Sequence, residues 1–346
     1  VRDYHVAIVG ATGLVGQEFI RILLERRFPI ASLRLLASDR SAGRKMRVGD
    51  REIEVEEATP ASFEGVDIAL CSAGAKNSLR FSPLAARAGA VVIDNSSAFR
   101  MDKTVPLVVP EINPEDIRCH RGIIANPNCS TIQMVVALNP LHKVNPIRRI
   151  IADTYQSVSG TGGVAAVEEL RTQAGQVLDG QPTASHVFPH QIAFNLLPQI
   201  DVFMDNGYSK EEWKMLEETR KIMHDDSIAV SATCVRVPVL VGHAVAVHFE
   251  FTRPMAVDDV RKILSRSPGI KVLDDPSISL YPQPWAAVGT DEVFVGRIRQ
   301  DVSHPNGIAM WIVADNLRKG AALNTIQIAE EMIARDWVKP EGGQQR

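Results

Sequence analysis

The sequence predicts a two-domain α/β protein: a Rossmann-like, doubly wound N-terminal domain followed by an α+β domain whose sheet is largely antiparallel. Three observations predict it. The 346 residues suit about two domains. The first third alternates short, continuously apolar runs with helix-spaced segments, the pattern of parallel strands covered on both faces. After about residue 146 the strand-like runs alternate apolar with polar residues, which marks strands with one wet face, usually antiparallel.

In order along the chain, residues 5–9 form a short apolar strand that ends in glycine, and 14–24 carry apolar residues at helical spacing. Residues 33–37, 66–71 and 91–94 are further strands, the last two separated by an Ala/Arg-rich helix. In the second part, 228–237, 244–251 and 293–299 alternate as strands, and 164–178, 211–223 and 257–264 read as helices, so one sheet carries helices on one side. The apolar strand 309–314 leads to an amphipathic helix, 323–337, that closes back on the first domain. The expected division is residues 1–128 joined by the C-terminal segment 315–346, and residues 129–314. The tail 342–346 is expected to fray.

Composition is that of an ordinary globular protein, with 45% hydrophobic and 23% charged residues. The net charge of −3 argues against a nucleic-acid partner. No apolar run approaches the ~18 residues that span a bilayer, so no membrane partner is expected. The chain enters a strand-like segment almost at once, and no signal peptide is visible. Cys71, Cys119, Cys129 and Cys234 are scattered without a CxxC pair, which argues against a zinc cluster and a disulfide framework. No metal is expected, and a reducing, cytoplasmic setting is the simplest fit.

Gly10-Ala11-Thr12-Gly13-Leu14-Val15-Gly16 sits between the first strand and the first helix. Glycines there permit a tight turn and let a pyrophosphate approach backbone N–H groups at a helix N-terminus. The spacing is GxxGxxG, and a glycine pattern alone is weak, a plain structural turn being the alternative. Its place at the first strand–turn–helix is where a dinucleotide loop belongs, so Gly10, Thr12, Gly13, Leu14, Val15 and Gly16 are the candidate cofactor contacts. At the end of the second strand, Ser38, Arg40 and Ser41 suit the 2′-phosphate of NADP, whereas Asp39 cuts toward NAD if it points inward.

Asn126-Pro127-Asn128-Cys129-Ser130-Thr131 places a cysteine after a short apolar run and before the helix-like 132–141. At a helix N-terminus, unpaired N–H groups and the helix dipole favour an anion, so a thiol with a pKa of ~8.5 becomes a usable thiolate near neutral pH. A buried structural cysteine is the alternative.

The glycine loop and Asn-Pro-Asn-Cys-Ser-Thr-Ile-Gln at 126–133 together resemble aspartate-β-semialdehyde dehydrogenase. Segments 36–43, 94–100, 156–162, 211–214 and 236–243 agree, so the resemblance runs from about residue 5 to about residue 330. The short central region resembles the bacterial branch of the family. The resemblance implies NADPH-dependent reduction of L-aspartyl-4-phosphate to L-aspartate 4-semialdehyde with release of phosphate, on the route to lysine, diaminopimelate, threonine and methionine. It also implies a homodimer, or a tetramer built from dimers.

The residue roles follow from the same resemblance. Cys129 matches the nucleophile that forms a thioester, with Asn128 and local backbone N–H groups holding the developing oxyanion. Cys71, Cys119 and Cys234 read as packing residues. His243, seven residues after Arg236, matches the catalytic histidine, the acid and base that manages protons on the thiol and on the hemithioacetal. His142, His190, His224 and His248 have no such context, and His248 faces the opposite side of its strand from His243. Gln156 matches the glutamine that orients substrate. Arg236 matches the carboxylate-binding arginine, whose planar fork suits that work. Glu211 matches the acid near the substrate amine, and Lys214 and Arg100 the phosphate ligands; an i,i+3 surface ion pair and a solvated loop arginine are the plain alternatives. Ser159, Gly160 and Asn316 are expected near the nicotinamide.

Three rivals share parts of this pattern. N-acetyl-γ-glutamyl-phosphate reductase has an aromatic after its cysteine, where Ser130 stands here, and needs no acid for an amine. Glyceraldehyde-3-phosphate dehydrogenase places serine before the cysteine and two threonines after it. A non-catalytic NADP-binding paralogue would have lost Cys129 or His243.

Overall fold

Strands β1 (Tyr4–Val9), β2 (Ile30–Ala37), β3 (Lys45–Val48), β4 (Arg51–Glu57), β5 (Ile68–Cys71), β6 (Val91–Asp94) and β7 (Ile123–Ala125) build one sheet in the order β3-β4-β2-β1-β5-β6-β7. The computed structural model describes residues 2–338, and the expected fraying of 342–346 lies outside the described residues. The sheet belongs to the first of two compact units, Val1–Pro127 with Ala321–Arg346; the second is Asn128–Gly320.

Every pairing in this sheet is parallel except β3 with β4. The chain leaves β1 toward β2 on one side and reaches β5 on the other, so the strand order reverses at the C-terminal end of β1, where doubly wound sheets bind ligands. β5 and β6 are buried along their whole length, as strands covered on both faces must be. Helix α1 (Leu14–Glu25) buries Phe19, Ile22 and Leu23, and α2 (Ala75–Arg87) buries Phe81 and Ala85. The C-terminal helix Leu323–Ala334 packs against α1 and β6. Arg26 clasps Glu330 from that helix through two 2.7 Å bonds. Both side chains are partly solvated, so the pair adds about 1 kcal/mol or less.

The β3–β4 hairpin was not expected. Its residues Lys45, Arg47, Arg51, Glu52, Glu54, Glu56 and Glu57 leave little apolar signal, because the hairpin forms the sheet edge and only Val55 is buried.

The second unit opens with α3 (Cys129–Val144) and β8 (Ile147–Gln156), followed by α4 (Val164–Leu178) and α5 (Lys210–Met223). Then come β9 (Ala229–Arg236), β10 (His243–Phe251), α6 (Val257–Ser265), β11 (Ile270–Val272), β12 (Val293–Gln300) and β13 (Gly307–Ala314). The sheet order is β11-β12-β13-β10-β8-β9. The pairings from β12 through β13 and β10 to β8 are antiparallel, as expected, and the outermost pairs β11–β12 and β8–β9 are parallel.

β8 escaped the sequence reading although it lies inside the sheet. Arg148, Arg149 and Asp153 interrupt its apolar pattern, whereas Ile147, Ile150 and Ala152 are buried. Helix α3 packs on β8, β10, β12 and β13 and is apolar nearly all round, with Ile132, Met134, Val135, Ala137, Leu138 and Leu141 fully buried. At about 1.5–3 kcal/mol for each large apolar side chain removed from water, this helix anchors the unit and fixes where its first residue stands. α5 packs on β9 and α6 on β11 and β12.

Candidate active site

Cys129 is the first residue of α3 and Asn128 is its cap. Asn128 Oδ1 accepts hydrogen bonds from the N–H groups of Ser130 (2.9 Å) and Thr131 (3.2 Å). Such a cap contributes about 1 kcal/mol and pins the turn that carries the thiol. Asn128 Nδ2 donates to Glu211 Oε1 at 2.7 Å, and its backbone N–H donates to Glu218 Oε2 at 2.6 Å. The side chain expected to hold an oxyanion is therefore engaged at both ends: its oxygen closes the helix and its amide orients Glu211. Cys129 is half-buried. Gly320 lies against it, and a β-carbon at 320 would come within 2.9 Å of Cys129 Cβ. Gly320 was missed by the sequence reading; it sits in a single π-helical turn, Arg318–Ala322, a feature frequent at functional sites.

α5 brings up the charged groups. Ser209 and Glu212 form a capping box, each side chain bonded to the other's backbone N–H. One residue along, Glu211 points inward. Lys214 Nζ reaches Glu211 Oε2 at 3.1 Å and Asp201 Oδ2 at 2.8 Å. This i,i+3 pair is no surface pair, because Glu211 is only 5% exposed. Burial works against the Glu211 charge, but Lys214, the Asn128 amide and Arg236 outweigh it and hold the carboxyl below its usual range. Gln156, at the end of β8, donates to Glu211 Oε1 and to Thr154 Oγ1, both at 3.3 Å.

Arg236 ends β9. Its backbone exchanges two hydrogen bonds with Leu197, and its Nη1 donates to the Ser157 carbonyl at 2.8 Å. Burial lowers the Arg236 pKa, while Glu211 and Cys129 act to raise it, so the thiol lies within electrostatic reach of the guanidinium.

His243 begins β10 and is fully buried. Its Nδ1 accepts the Ser157 backbone N–H at 3.1 Å and lies 3.0 Å from Ser157 Oγ. Its Nε2 is buried with no hydrogen-bond partner among the described residues. Burial, reinforced by Arg236, drives the ring's pKa down to about 3. A β-carbon on Gly160 would lie 2.8 Å from His243 Nε2 and 2.7 Å from Arg236 Nη1. His248, on the same strand, pairs with Asp301 at 3.0 Å and is partly exposed, on the opposite side as expected.

Asn316, expected near the nicotinamide, accepts on Oδ1 from Gly242 N–H (2.7 Å), Ser157 Oγ (3.1 Å) and Ser159 Oγ (3.3 Å), and its Nδ2 donates to Ser159 Oγ at 2.9 Å. Asn316 and Ser159 thus tie the 157–159 turn to the loop before His243. Of the other cysteines, Cys71 and Cys234 are buried as expected; burial and Asp94 push Cys71 up to about 12, and burial raises Cys234 too. Cys119 departs from the packing expectation, since it is exposed at the end of the 3₁₀ turn Pro114–Cys119.

In the first unit, Gly10 follows β1 with φ +88°, and a β-carbon there would strike the Ser72 carbonyl oxygen at 2.4 Å. Gly16 is packed as tightly against the Gly10 carbonyl oxygen. Gly13 caps α1 without any side-chain bond, and Leu14 and Val15 open the helix. Thr12 accepts Gln17 Nε2 on its carbonyl at 3.1 Å. Ser38, Arg40 and Ser41 lie in the turn after β2, Ser38 and Arg40 exposed and Ser41 half-buried. Asp39 Oδ1 accepts the Arg40 N–H at 2.8 Å, which turns this carboxylate back onto its own turn. Arg100 is buried rather than a solvated loop arginine: its Nε donates to the Asn126 carbonyl at 2.9 Å and its Nη2 to the Asn95 carbonyl at 3.0 Å. Among the described residues, no group of three or more His, Cys, Asp or Glu is placed to hold a metal ion, and no helix is long and apolar enough to cross a membrane.

Comparison with known proteins places this geometry in context. Residues 5–120 match the family model of the semialdehyde dehydrogenase NAD binding domain, and residues 138–319 that of the semialdehyde dehydrogenase dimerisation domain. The chain is 51% identical to the aspartate-semialdehyde dehydrogenase of Bacillus subtilis over 339 residues, 96% of this chain and 98% of that protein. A crystal structure of aspartate semialdehyde dehydrogenase II of Vibrio cholerae complexed with ASA superposes with a TM-score of 0.94 at 50% identity, covering 97% of this chain and all of that one. The aspartate semialdehyde dehydrogenase of Candida albicans, solved with NADP, superposes with a TM-score of 0.75 at 28% identity, covering 97% and 99% of the two chains. The chain belongs to the aspartate-semialdehyde dehydrogenase family.

Proposed function

We propose that this protein catalyses the NADPH-dependent reduction of L-aspartyl-4-phosphate to L-aspartate 4-semialdehyde, with release of phosphate, through a thioester on Cys129. The observation that carries the mechanism is the placement of Cys129 at the N-terminus of a buried helix, within electrostatic reach of Arg236. Helix dipole and guanidinium both favour the thiolate, the form that attacks an acyl phosphate.

Each remaining residue answers one part of the substrate. Arg236 takes the α-carboxylate and the ionised Glu211 the α-ammonium. Lys214 and Arg100 receive the departing phosphate, Gln156 orients the acyl group, and His243 supplies the proton that releases the aldehyde. Glu211 also argues against an N-acetylated substrate, because acetylation removes the cation that a buried carboxylate would pair with.

The first unit fits the dinucleotide. The Gly10–Gly16 loop has no room for side chains at Gly10 and Gly16, the α1 N-terminus has no side-chain cap, and Ser38, Arg40 and Ser41 stand at the turn where a 2′-phosphate would be met, with the Asp39 carboxylate bonded to the Arg40 N–H. When bound, NADPH supplies the hydride that reduces the thioester. Ser159 and Gly160 shape the backbone near the acyl group, and Asn316 holds that turn in place.

Assembly as a homodimer or as a tetramer of dimers, a cytoplasmic location, and a place in lysine, diaminopimelate, threonine and methionine biosynthesis belong to the same proposal. The match to a dimerisation domain supports the dimer, and a mechanism that needs a reduced Cys129 supports the compartment. The reverse reaction tests substrate and cofactor together. With phosphate and either NADP or NAD, aspartate semialdehyde should be oxidised and NADP preferred; preferential turnover of N-acetylglutamate semialdehyde would overturn the assignment.

A further inference from the structure

Arg236 ends β9, and β9 is the outermost strand of its sheet. On the inner side Arg236 pairs with Gln156 of β8. An outer edge leaves backbone groups without a strand to bond. Here Leu197 covers it: the Arg236 N–H donates to the Leu197 carbonyl at 2.8 Å, and the Leu197 N–H donates to the Arg236 carbonyl at 3.0 Å. Leu197 belongs to residues 179–209, which run from α4 to α5 without a helix or a strand. A segment of that length lacks the ladder bonds that would hold it in one place, so its backbone groups must find other partners.

Two buried side chains of α4 supply them. Glu169 and Gln173 are four residues apart and so share one face of the helix. Glu169 Oε2 accepts the N–H groups of His186 (2.9 Å) and Val187 (2.6 Å), and Oε1 accepts that of Phe188 (3.4 Å). Gln173 Oε1 accepts from the N–H groups of Ile192 (2.9 Å) and Ala193 (3.2 Å), while Nε2 donates to the Ala184 carbonyl at 2.8 Å and to Glu169 Oε1 at 3.3 Å. Beneath these bonds, Ala166 and Leu170 of α4 pack with Phe188, Ile192 and Leu197 and with Val158, two residues before Gly160. Phe194, between the stapled residues and Leu197, holds φ +57°. A bulky side chain rarely adopts that conformation, and it persists only where the surroundings over-determine it.

We propose that Glu169 and Gln173 are positioning residues for the substrate carboxylate: they staple residues 186–193 to α4, which sets Leu197 against the β9 edge and so aims the Arg236 fork. The proposal rests on the reading of Arg236 as the carboxylate ligand. Neither α4 side chain needs to touch substrate. A guanidinium binds a carboxylate through two parallel bonds, so its affinity depends on direction as well as charge. Arg236 is thus held from three sides: by β8, by the Ser157 carbonyl on its Nη1, and by a segment whose place is fixed from α4.

Steady-state kinetics in the reverse direction test this role. Glu169→Ala frees His186 and Val187, and Gln173→Ala frees Ile192 and Ala193. Each should raise KM for aspartate semialdehyde by about 10-fold, with kcat and the KM for NADP within about three-fold of wild type, the pattern of weakened substrate binding. Glu169→Gln keeps one oxygen to accept the two short bonds and should return KM to within about three-fold of wild type. Equal rises in Glu169→Gln and Glu169→Ala would overturn the proposal, as would an unchanged KM in either alanine variant. The decisive comparison is made in an Arg236→Leu background. If the staple acts through Arg236, Glu169→Ala adds nothing to KM there; a further 10-fold rise would overturn the proposal. Hydrogen–deuterium exchange of the wild-type enzyme reads the staple without any variant. The amides of residues 186, 187, 192 and 193 should exchange slowly although they lie in no helix or strand, and free exchange would overturn the proposal. A wild-type KM in Arg236→Leu, with these amides still protected, would instead overturn the reading of Arg236 as the carboxylate ligand and the aim assigned to the staple with it.

Discussion

Gly160 lies so close to His243 that a β-carbon at 160 would stand 2.8 Å from Nε2 and 2.7 Å from Arg236 Nη1. Three parts of the candidate site are thereby fixed against one another: the ring, the guanidinium and a segment of bare backbone. Gly160→Ala must displace one of them. The variant should fold, since the turn is near the surface, and lose about 10²-fold in kcat/KM, the scale expected for a misplacement of about 1 Å. Steady-state kinetics beside a thermal melt check this; wild-type kcat/KM would show that the contact does not matter to the reaction.

Arg236→Leu keeps the bulk of the side chain and removes the fork. It should chiefly raise KM for the amino-acid substrate in the reverse assay, by about 10- to 100-fold for a lost charge-assisted bond of about 1.5–3 kcal/mol. An unchanged KM would remove Arg236 from the carboxylate role.

Glu211 joins four groups: Asn128, Gln156, Lys214 and Arg236. Glu211→Gln keeps the shape and discards the charge that Lys214 and Arg236 face. The expected result is a raised KM together with a loss of roughly 1–3 kcal/mol in urea unfolding, the cost of poorly compensated buried polar groups. A variant as stable as wild type would show that Asp201 alone satisfies Lys214.

Stability should depend on pH through His243. The unfolded ring binds its proton near pH 6.5, whereas the folded ring, lowered to about 3 by burial and Arg236, does not. Below pH 6.5 the unfolded state therefore binds more protons and stability falls with falling pH, by up to about 1.4 kcal/mol per unit until the folded ring also titrates. Glu211 acts in a lower window: its depressed carboxyl contributes stability that is present above the unfolded value of 4.5 and is lost as pH falls below it. Urea unfolding at pH 6.5 and 5.0 isolates the histidine component, which should shrink in His243→Gln. Identical slopes in the two proteins would contradict the buried, neutral ring.

How much of this was legible in the sequence differs by element. The parallel strands β1, β2, β5 and β6 were legible because burial on both faces leaves uninterrupted apolar runs. The β3–β4 hairpin was not, since an edge exposes nearly every side chain, and β8 was not, since Arg148, Arg149 and Asp153 break its pattern inside a sheet. The place of Cys129 at a helix start could be read from Asn128-Cys129 because capping is a local effect. Asn128 and Asn316 were harder: what their amides bond to depends on α5 and on the 157–159 turn, which approach from distant parts of the chain. Gly320 carried no signal of its own, because the need for a bare backbone there comes only from Cys129 lying against it.

Mass spectrometry detects a covalent aspartyl thioester on Cys129 without recourse to kinetics. Enzyme mixed with aspartyl phosphate in the absence of NADPH, then quenched in acid, should gain the mass of one aspartyl group on the peptide that holds Cys129, and Cys129→Ala should gain none while still binding NADPH. An unmodified Cys129 in enzyme that turns over once NADPH is added, or substantial activity in Cys129→Ala, would contradict the account.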